Sequence, residues 1–335
     1  VPVYLDIYYR GAKECKNAKT VFTIHNIEFQ GKYGNGIITD VLGLPLAKKA
    51  IVEYDDCVNF MKGGIECANA VTTVSPTYSN EILNAFYGYG MQDILSKRKF
   101  KLTGIINGID QSFNDPSSDK AIFKNYTLAT IEDKRVNKRK MQEMLDLPRR
   151  EEAPLVGMVG RLTHQKGFDL LTKCMEKILS MDVQVVILGT GDWQYESYLK
   201  DLQTRFAGKL RCIINFSSDM ASKIYAASDM FLMPSKFEPC GLSQMIAMRY
   251  GSIPIVRETG GLKDTVEPFN PTLFTGTGFT FFEYNERELM RAIERAVDLY
   301  YNNKIAWIKL MKNAMSKDFG WDNIAKKYLE LYNKI

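Results

Sequence analysis

Residues 234–243 read Pro-Ser-Lys-Phe-Glu-Pro-Cys-Gly-Leu-Ser and carry the densest chemistry in the chain. Glu238 stands just ahead of Pro239, Cys240 and Gly241. An apolar run, Met230 to Met233, precedes the segment, and a second, Leu242 to Tyr250, follows it. A strand, a tight turn and a helix start leave backbone N–H groups without partners at the turn. Such groups suit a phosphate, and a carboxylate beside them would meet whatever the phosphate carries. Glu238 has two readings here. It is either a capping carboxylate that accepts the N–H groups of the turn, or a group that binds sugar hydroxyls and supports positive charge at an oxocarbenium-like carbon.

A second segment, Gly160-Arg161-Leu162-Thr163-His164-Gln165-Lys166-Gly167, follows a strand-like run and precedes a helical one, Phe168 to Leu179. Arg161 offers a planar fork to phosphate oxygens and Lys166 a point charge. Together they either neutralise a leaving diphosphate or are two exposed surface cations. The flanking glycines, which permit close backbone approach, favour the first. Thr259-Gly260-Gly261-Leu262 is a further glycine turn, read as a plain turn or as more N–H groups for a ligand. His25 ends the run Val21 to Ile24, where a ligand would sit, although a lone histidine is commonly structural. His164 reads as surface. Gly189-Thr190-Gly191 lacks the third glycine of a dinucleotide fingerprint, since position 194 is Gln, and reads as a tight strand-to-helix turn.

The elements that must position these groups alternate. Strand-like runs lie at Val21–Ile24, Ala70–Val74, Gly104–Ile106, Leu155–Val159, Val183–Leu188, Leu210–Asn215, Met230–Met233 and Ser252–Val256, with helical stretches among them at 56–68, 79–86 and 134–145. Alternation of this kind predicts an α/β fold with parallel sheets. Polar and glycine residues follow the C-terminal end of nearly every run, where open α/β sheets bind ligands. The polar stretch from Asp115 to Arg150 reads as an inter-domain connection. The predicted domains are 1–114, 115–317 and a terminal helix over 318–335.

Composition narrows the function. A chain of 335 residues, 45% hydrophobic and 25% charged, suits about two domains with real cores. The net charge of +5 is either a small lysine surplus on a solvated face or a field that gathers an anionic substrate. Nucleic acid is disfavoured, because the basic clusters at 97–99 and 134–140 lack interleaved aromatics. The six cysteines form no C-x-x-C pair, and two histidines allow no zinc spacing. Scattered single cysteines point to a cytoplasmic setting. No apolar run is long enough for a bilayer and no signal peptide is visible. The chain opens on Val1-Pro2-Val3 rather than Met, which reads as a piece of a longer protein.

Taken in order, the motifs resemble a known family. Thr23-Ile24-His25-Asn26 with Gln30-Gly31, Thr73-Val74-Ser75, Asn107-Gly108-Ile109-Asp110, Gly160-Arg161-Leu162-Thr163 with Gln165-Lys166-Gly167, Phe237-Glu238-Pro239-Cys240-Gly241-Leu242, and Thr259-Gly260-Gly261-Leu262 with Asp264-Thr265 are similar to bacterial glycogen synthases and plant starch synthases. The resemblance implies a GT-B fold, two Rossmann-like domains facing across a cleft, and retaining transfer of glucose from ADP-glucose to the non-reducing end of an α-1,4-glucan. It implies that Arg161 and Lys166 bind the phosphates of ADP-glucose, that Glu238 contacts the glucosyl hydroxyls, and that the backbone at Cys240, Gly241 and Leu242 holds sugar and diphosphate. Ser243 would meet the nucleotide, with Gly260 and Gly261 nearby. His25 would reach the sugar, and Asn107 would lie in the same cleft. The leaving phosphate takes the acceptor proton, so no metal or other cofactor is implied. One departure stands out: no Lys-x-Gly-Gly-Leu loop precedes His25, so the N-terminal domain is expected to be partial and this polypeptide to turn over poorly alone. Two other readings stay open, a catalytically silent ADP-sugar or glucan-binding fragment, and a relative such as a sucrose or trehalose-phosphate synthase that uses another nucleotide sugar. A phosphorylase is disfavoured, since no pyridoxal-phosphate lysine context is recognisable.

Overall fold

The computed structural model describes every residue from Val1 to Ile335. The chain divides into two compact units, Val1–Asn107 with Asp322–Ile335, and Gly108–Trp321. These limits differ from the predicted ones at 114 and 317, and local bonding explains why. Ile109 donates its N–H to the Phe319 carbonyl at 2.9 Å and bridges Gly320 in parallel register. A Cβ on Gly108 would lie 2.9 Å from the Trp321 ring. Residues 108–114 are therefore tied to the segment just ahead of the last helix and belong with the second unit.

The first unit holds β1 (Val21–Ile24), β2 (Lys32–Tyr33), β3 (Glu53–Tyr54), β4 (Cys57–Asn59), β5 (Ala70–Thr73) and β6 (Leu102–Gly104). Strands β1, β5 and β6 form a parallel sheet in the order β1-β5-β6. Central β5 is buried throughout, so its sequence shows no polar alternation. Its threonines answer their own hydroxyls: Thr73 Oγ1 donates to the Ile24 carbonyl at 2.8 Å, and Thr72 Oγ1 meets Thr23 Oγ1 at 2.8 Å. The helix Phe60–Cys67 starts where the Asn59 side chain accepts the Lys62 N–H. It is shorter than the predicted 56–68 because Cys57–Asn59 pairs as β4 in a small antiparallel sheet, β2-β4-β3. A Cβ on Gly64 would lie 2.6 Å from the Phe22 ring, so this helix comes as close to β1 as it does only with glycine there.

The second unit holds β7 (Leu155–Val159), β8 (Gln184–Leu188), β9 (Leu210–Ile213), β10 (Met230–Met233), β11 (Ile253–Arg257) and β12 (Phe279–Phe281). All six are parallel, in the order β12-β11-β10-β7-β8-β9. The chain runs outward through β7, β8 and β9, then returns to place β10 on the other side of β7. That reversal is the topological switch point of a doubly wound sheet, where ligands bind beyond the carboxyl ends. β12 and the helices Glu286–Asn302 and Lys304–Met315 add to the elements expected from the sequence. The first of these helices opens at Asn285, whose side chain accepts the Glu288 N–H at 3.0 Å, and it buries Leu289, Ala292, Ile293, Ala296 and Val297 on one face. No helix in the chain is long and apolar enough to cross a membrane.

Helix Lys134–Met144 buries its first residue. Lys134 Nζ donates to the carbonyls of Tyr225 and Ala226, at 2.9 and 2.8 Å, at the end of helix Ser218–Ala227. Burial pushes its amine down to about 7, against the opposing pull of Asp229. Below that value the folded chain carries a buried ammonium ion. Between about 7 and the ordinary lysine value the unfolded chain binds the extra proton, so stability rises with pH across that window. Lys134→Met removes the group. Relative to that variant, the wild-type chain is expected to gain on the order of 1–2 kcal/mol between about pH 7 and about pH 9. Urea denaturation of both proteins at the two pH values measures the difference, and parallel slopes would refute the assignment.

Candidate active site

Two loops build the site at the switch point. The first, Gly160–Gly167, leaves β7. Its backbone is laced to the turn after β8: Gly160 N–H donates to Leu188, Leu162 N–H to Thr190, and Asp192 N–H to Leu162, at 3.0, 2.9 and 2.9 Å. A Cβ on Gly189 would sit 1.8 Å from the Gly160 carbonyl oxygen, and one on Gly191 2.2 Å from that of Leu162. Gly189-Thr190-Gly191 is thus a packing turn that carries the Arg161 loop. The loop ends in a short 3₁₀ turn, His164–Lys166, closed by Gly167 at φ +83°.

The second loop leaves β10 and carries Ser235, Lys236 and Glu238. Lys236 N–H donates to the Gln165 carbonyl at 2.9 Å, which joins it to the first loop. Across the join, Lys166 Nζ meets Glu238 Oε2 at 2.6 Å, with the carboxylate almost wholly buried. Ser235 Oγ donates to the same oxygen at 3.1 Å. A buried carboxylate requires partners of this kind. The N-cap of the helix Ser243–Arg249 is Leu242, with no side-chain cap bond, so Glu238 is not the N-cap residue itself. Arg161 is exposed, 3.4 Å from Gln165 Oε1 through Nη2. Gly160, Arg161, Lys166, Ser235 and Ser243 line one crevice with Met233 and Leu188.

Of the remaining expected residues, Cys240, Gly241 and Leu242 follow β10, and Gly260 and Gly261 follow β11 of this sheet. Cys240 is buried and Leu242 exposed. Gly260 and Gly261 brace the Glu238 loop from behind. A Cβ on Gly260 would lie 2.0 Å from the Glu238 carbonyl oxygen, and one on Gly261 2.0 Å from that of Cys240. The Gly261 N–H is shared by the Glu238 and Pro239 carbonyls, each at 3.2 Å, so it is held by the chain itself rather than offered to a ligand as the sequence suggested. His25 and Asn107 lie in the first unit. His25 is exposed just beyond β1, and Asn107 is half-buried beyond β6, so both follow parallel strands at their C-terminal ends.

Sequence reasoning missed three groups. Ser235 stands three residues ahead of Glu238 in the same run, which could have drawn attention to it. His164 is no idle surface residue: its Nδ1 lies 3.1 Å from Asp169 and its Nε2 2.8 Å from Lys236 Nζ, linking the turn that bears Lys166 to the Glu238 loop. Gln244 looks like an ordinary helix residue in sequence, and only its contacts mark it. A separate cavity in this unit is built around Lys134, Lys138, Asp229, Tyr300 and Trp307. Its polar groups answer one another, with Lys138 Nζ 2.7 Å from Asp229 and 3.1 Å from the Tyr300 hydroxyl.

A doubly wound sheet with two cations and a buried carboxylate at its switch point is the strand-end chemistry of a GT-B glycosyltransferase. Residues 1–97 match the family described as starch synthase catalytic domain, and residues 140–310 that described as glycosyl transferases group 1. The glycogen synthase of Clostridium novyi (strain NT) is 45% identical over 337 residues, covering 100% of this chain and 70% of that protein. That of Clostridioides difficile (strain 630) is 46% identical with the same coverage. Among solved structures, the catalytic domain of starch synthase IV from Arabidopsis thaliana, bound to ADP and acarbose, superposes with a TM-score of 0.90 at 36% identity, over 99% of this chain and 70% of that one. Sucrose-phosphate synthase from Thermosynechococcus elongatus shares the fold at a TM-score of 0.56 and 20% identity, over 94% of this chain and 67% of that one. The chain belongs to the glycogen and starch synthase family of glucosyltransferases.

The contact that sets the Lys166 turn against the Glu238 loop is open to test. In Gly167→Ala the new Cβ would lie 2.1 Å from the Pro234 carbonyl oxygen at a positive φ. The variant is expected to lose at least about 2 kcal/mol of stability, read as a lower urea midpoint. An unchanged midpoint would mean that the loops do not pack as described.

Proposed function

We propose that the chain transfers glucose from ADP-glucose to the non-reducing end of an α-1,4-glucan, with retention at the anomeric carbon. The Lys166–Glu238 pair beside Arg161 at the switch point carries this reading. Family membership supports it, and so does the ADP held by the starch synthase neighbour.

In the reaction, the bond from the anomeric carbon to the diphosphate oxygen breaks and its electron pair leaves with ADP. The glucan 4-hydroxyl bonds to that carbon on the face ADP vacates. The hydroxyl proton passes to the departing phosphate oxygen, so the reaction as drawn draws on no cofactor beyond its two substrates. Arg161 and Lys166 neutralise charge as it builds on the diphosphate. The N–H groups that open helix Ser243–Arg249, with no acceptor inside the helix, lie along the same path, beside Cys240, Gly241 and Leu242. Ser243 is assigned to the nucleotide. Phe216, exposed just beyond β9, offers a flat face for adenine. His25 and Asn107 are assigned to ligand binding on the first unit.

Glu238 and Lys166 cannot serve sugar and phosphate while paired only with each other. Donor binding therefore exchanges partners: Lys166 turns to the diphosphate, and the freed carboxylate meets glucosyl hydroxyls and the developing positive charge. Glu238→Gln abolishes that charge and also releases Lys166. Transfer is expected to fall by about 10²-fold or more, while ADP, which lacks the sugar, binds no more weakly than to wild type. Arg161→Ala is expected to weaken both. ADP release with a glucan acceptor, ADP titration by calorimetry and circular dichroism read the three properties. Unchanged transfer in folded Glu238→Gln or Arg161→Ala protein would sink the assignment.

A further inference from the structure

Gln244 lies wholly buried one residue into helix Ser243–Arg249. The two hydrogens of its Nε2 serve three acceptors, one of them shared: the Cys240 carbonyl at 3.1 Å, the Gly241 carbonyl at 2.9 Å and Thr265 Oγ1 at 3.0 Å. Thr265 Oγ1 in turn donates to the Gly261 carbonyl at 2.6 Å. With its hydrogen committed to Gly261, the threonine oxygen can only accept from Gln244, so the direction of the chain is determined. The carboxamide and the hydroxyl form one strut between the turn after Glu238 and the Gly260-Gly261 turn that braces Glu238 from behind.

The strut has a stability cost. Gln244 Oε1 is buried without a hydrogen-bond partner, and a buried acceptor left unpaired keeps its full desolvation penalty. That oxygen also lies 2.5 Å from where a Cβ on Gly241 would be, so the strut and the positive φ of Gly241 both require glycine there. An apolar side chain at 244 would remove the unpaired oxygen but leave the Cys240 and Gly241 carbonyls without this donor. Retaining a half-satisfied amide fits a demand on the position of those two turns better than a demand on stability.

We infer that Gln244, acting through Thr265, is a positioning residue for glucosyl transfer: it holds the Cys240-Gly241 turn and the Gly260-Gly261 turn in register behind Glu238, and thereby sets the rate of the chemical step more than the affinity for the nucleotide. The inference rests on the assignment of Glu238 and its turn to the donor.

The test uses the chain as it stands, with ADP-glucose and a glucan acceptor. Gln244→Glu keeps the shape but can donate at most one hydrogen where the amide donates two; Thr265→Val keeps the shape without the hydroxyl; Thr265→Ser restores it. Gln244→Glu and Thr265→Val are each expected to lower kcat by about tenfold or more and to shift the ADP dissociation constant by less than about threefold. The double variant is expected to lose little beyond the worse single, since both changes break the same strut. Thr265→Ser is expected to keep at least about half of the wild-type kcat. A folded variant with kcat within about twofold of wild type, losses that multiply in the double, or ADP affinity that falls in step with kcat would each overturn the inference. Should Gln244→Glu fail to fold, Thr265→Val and Thr265→Ser decide alone. Full activity in Glu238→Gln would instead overturn the donor-site assignment, whatever Gln244→Glu does.

Discussion

Backbone lies against backbone at the carboxyl edge of the six-stranded sheet, at distances that leave no room for a side chain. Carbonyl oxygens of Pro234, Gly160, Leu162, Glu238 and Cys240 occupy the places where Cβ atoms of Gly167, Gly189, Gly191, Gly260 and Gly261 would be. Each contact seats one strand-end loop on the next, so the loops after β7, β8, β10 and β11 form one continuous layer. The strand order makes this possible: the return of β10 to the free side of β7 brings the Arg161 loop and the Glu238 loop side by side. Glycine is favoured here for two reasons that act together. Gly167 and Gly260 take positive φ, and all five need the space.

This seating governs the electrostatics. Lys166 and Glu238 are 72 positions apart, and they meet because their loops share a backbone bond from Lys236 to Gln165. An ion pair with a buried carboxylate and a partly exposed lysine gives little net stability, since desolvation of the carboxylate offsets much of the attraction. Removing one partner is costly, because the other is left buried and charged. Under the proposed function such a pair is suited to exchange: a diphosphate would take over Lys166, and glucosyl hydroxyls would take over the carboxylate. Ser235 Oγ gives the same carboxylate a hydrogen bond that does not depend on Lys166.

The sequence made the strands of this edge legible and left their neighbours hidden. Val21–Ile24, Leu155–Val159 and Met230–Met233 are readable to the residue: the last two are largely buried apolar runs of a parallel sheet that stop at glycine or proline, and the half-buried first is a β-branched and aromatic run that stops at His25-Asn26. The same stops located Arg161, Lys166 and Glu238. What sequence does not contain is strand order. The Lys166–Glu238 pair, the bracing role of Gly260 and Gly261, and the strut from Gln244 to Thr265 all depend on which loops become neighbours. The unit boundary eluded the reading for a similar reason: Ile109 is claimed by Phe319 and Gly320, more than two hundred positions away. Strand β12 is short and follows two glycines, Gly276 and Gly278, so its pattern was too brief to stand out.

The arrangement also separates two demands that one residue could not meet. A carboxylate that stabilises positive charge at the anomeric carbon has to be ionised, close to that carbon and poorly screened. In the free protein such a group would be an uncompensated buried charge. Under the proposed function, pairing it with Lys166 meets both conditions in turn, since the carboxylate would lose its counter-charge only when a diphosphate had drawn that counter-charge away. Full electrostatic strength then appears at the sugar only with a nucleotide sugar in place. On this argument the identity of the residue at 166 matters beyond its charge. The single point charge of a lysine can swing from one partner to the other, whereas a guanidinium fork held by two hydrogen bonds to the carboxylate would resist release.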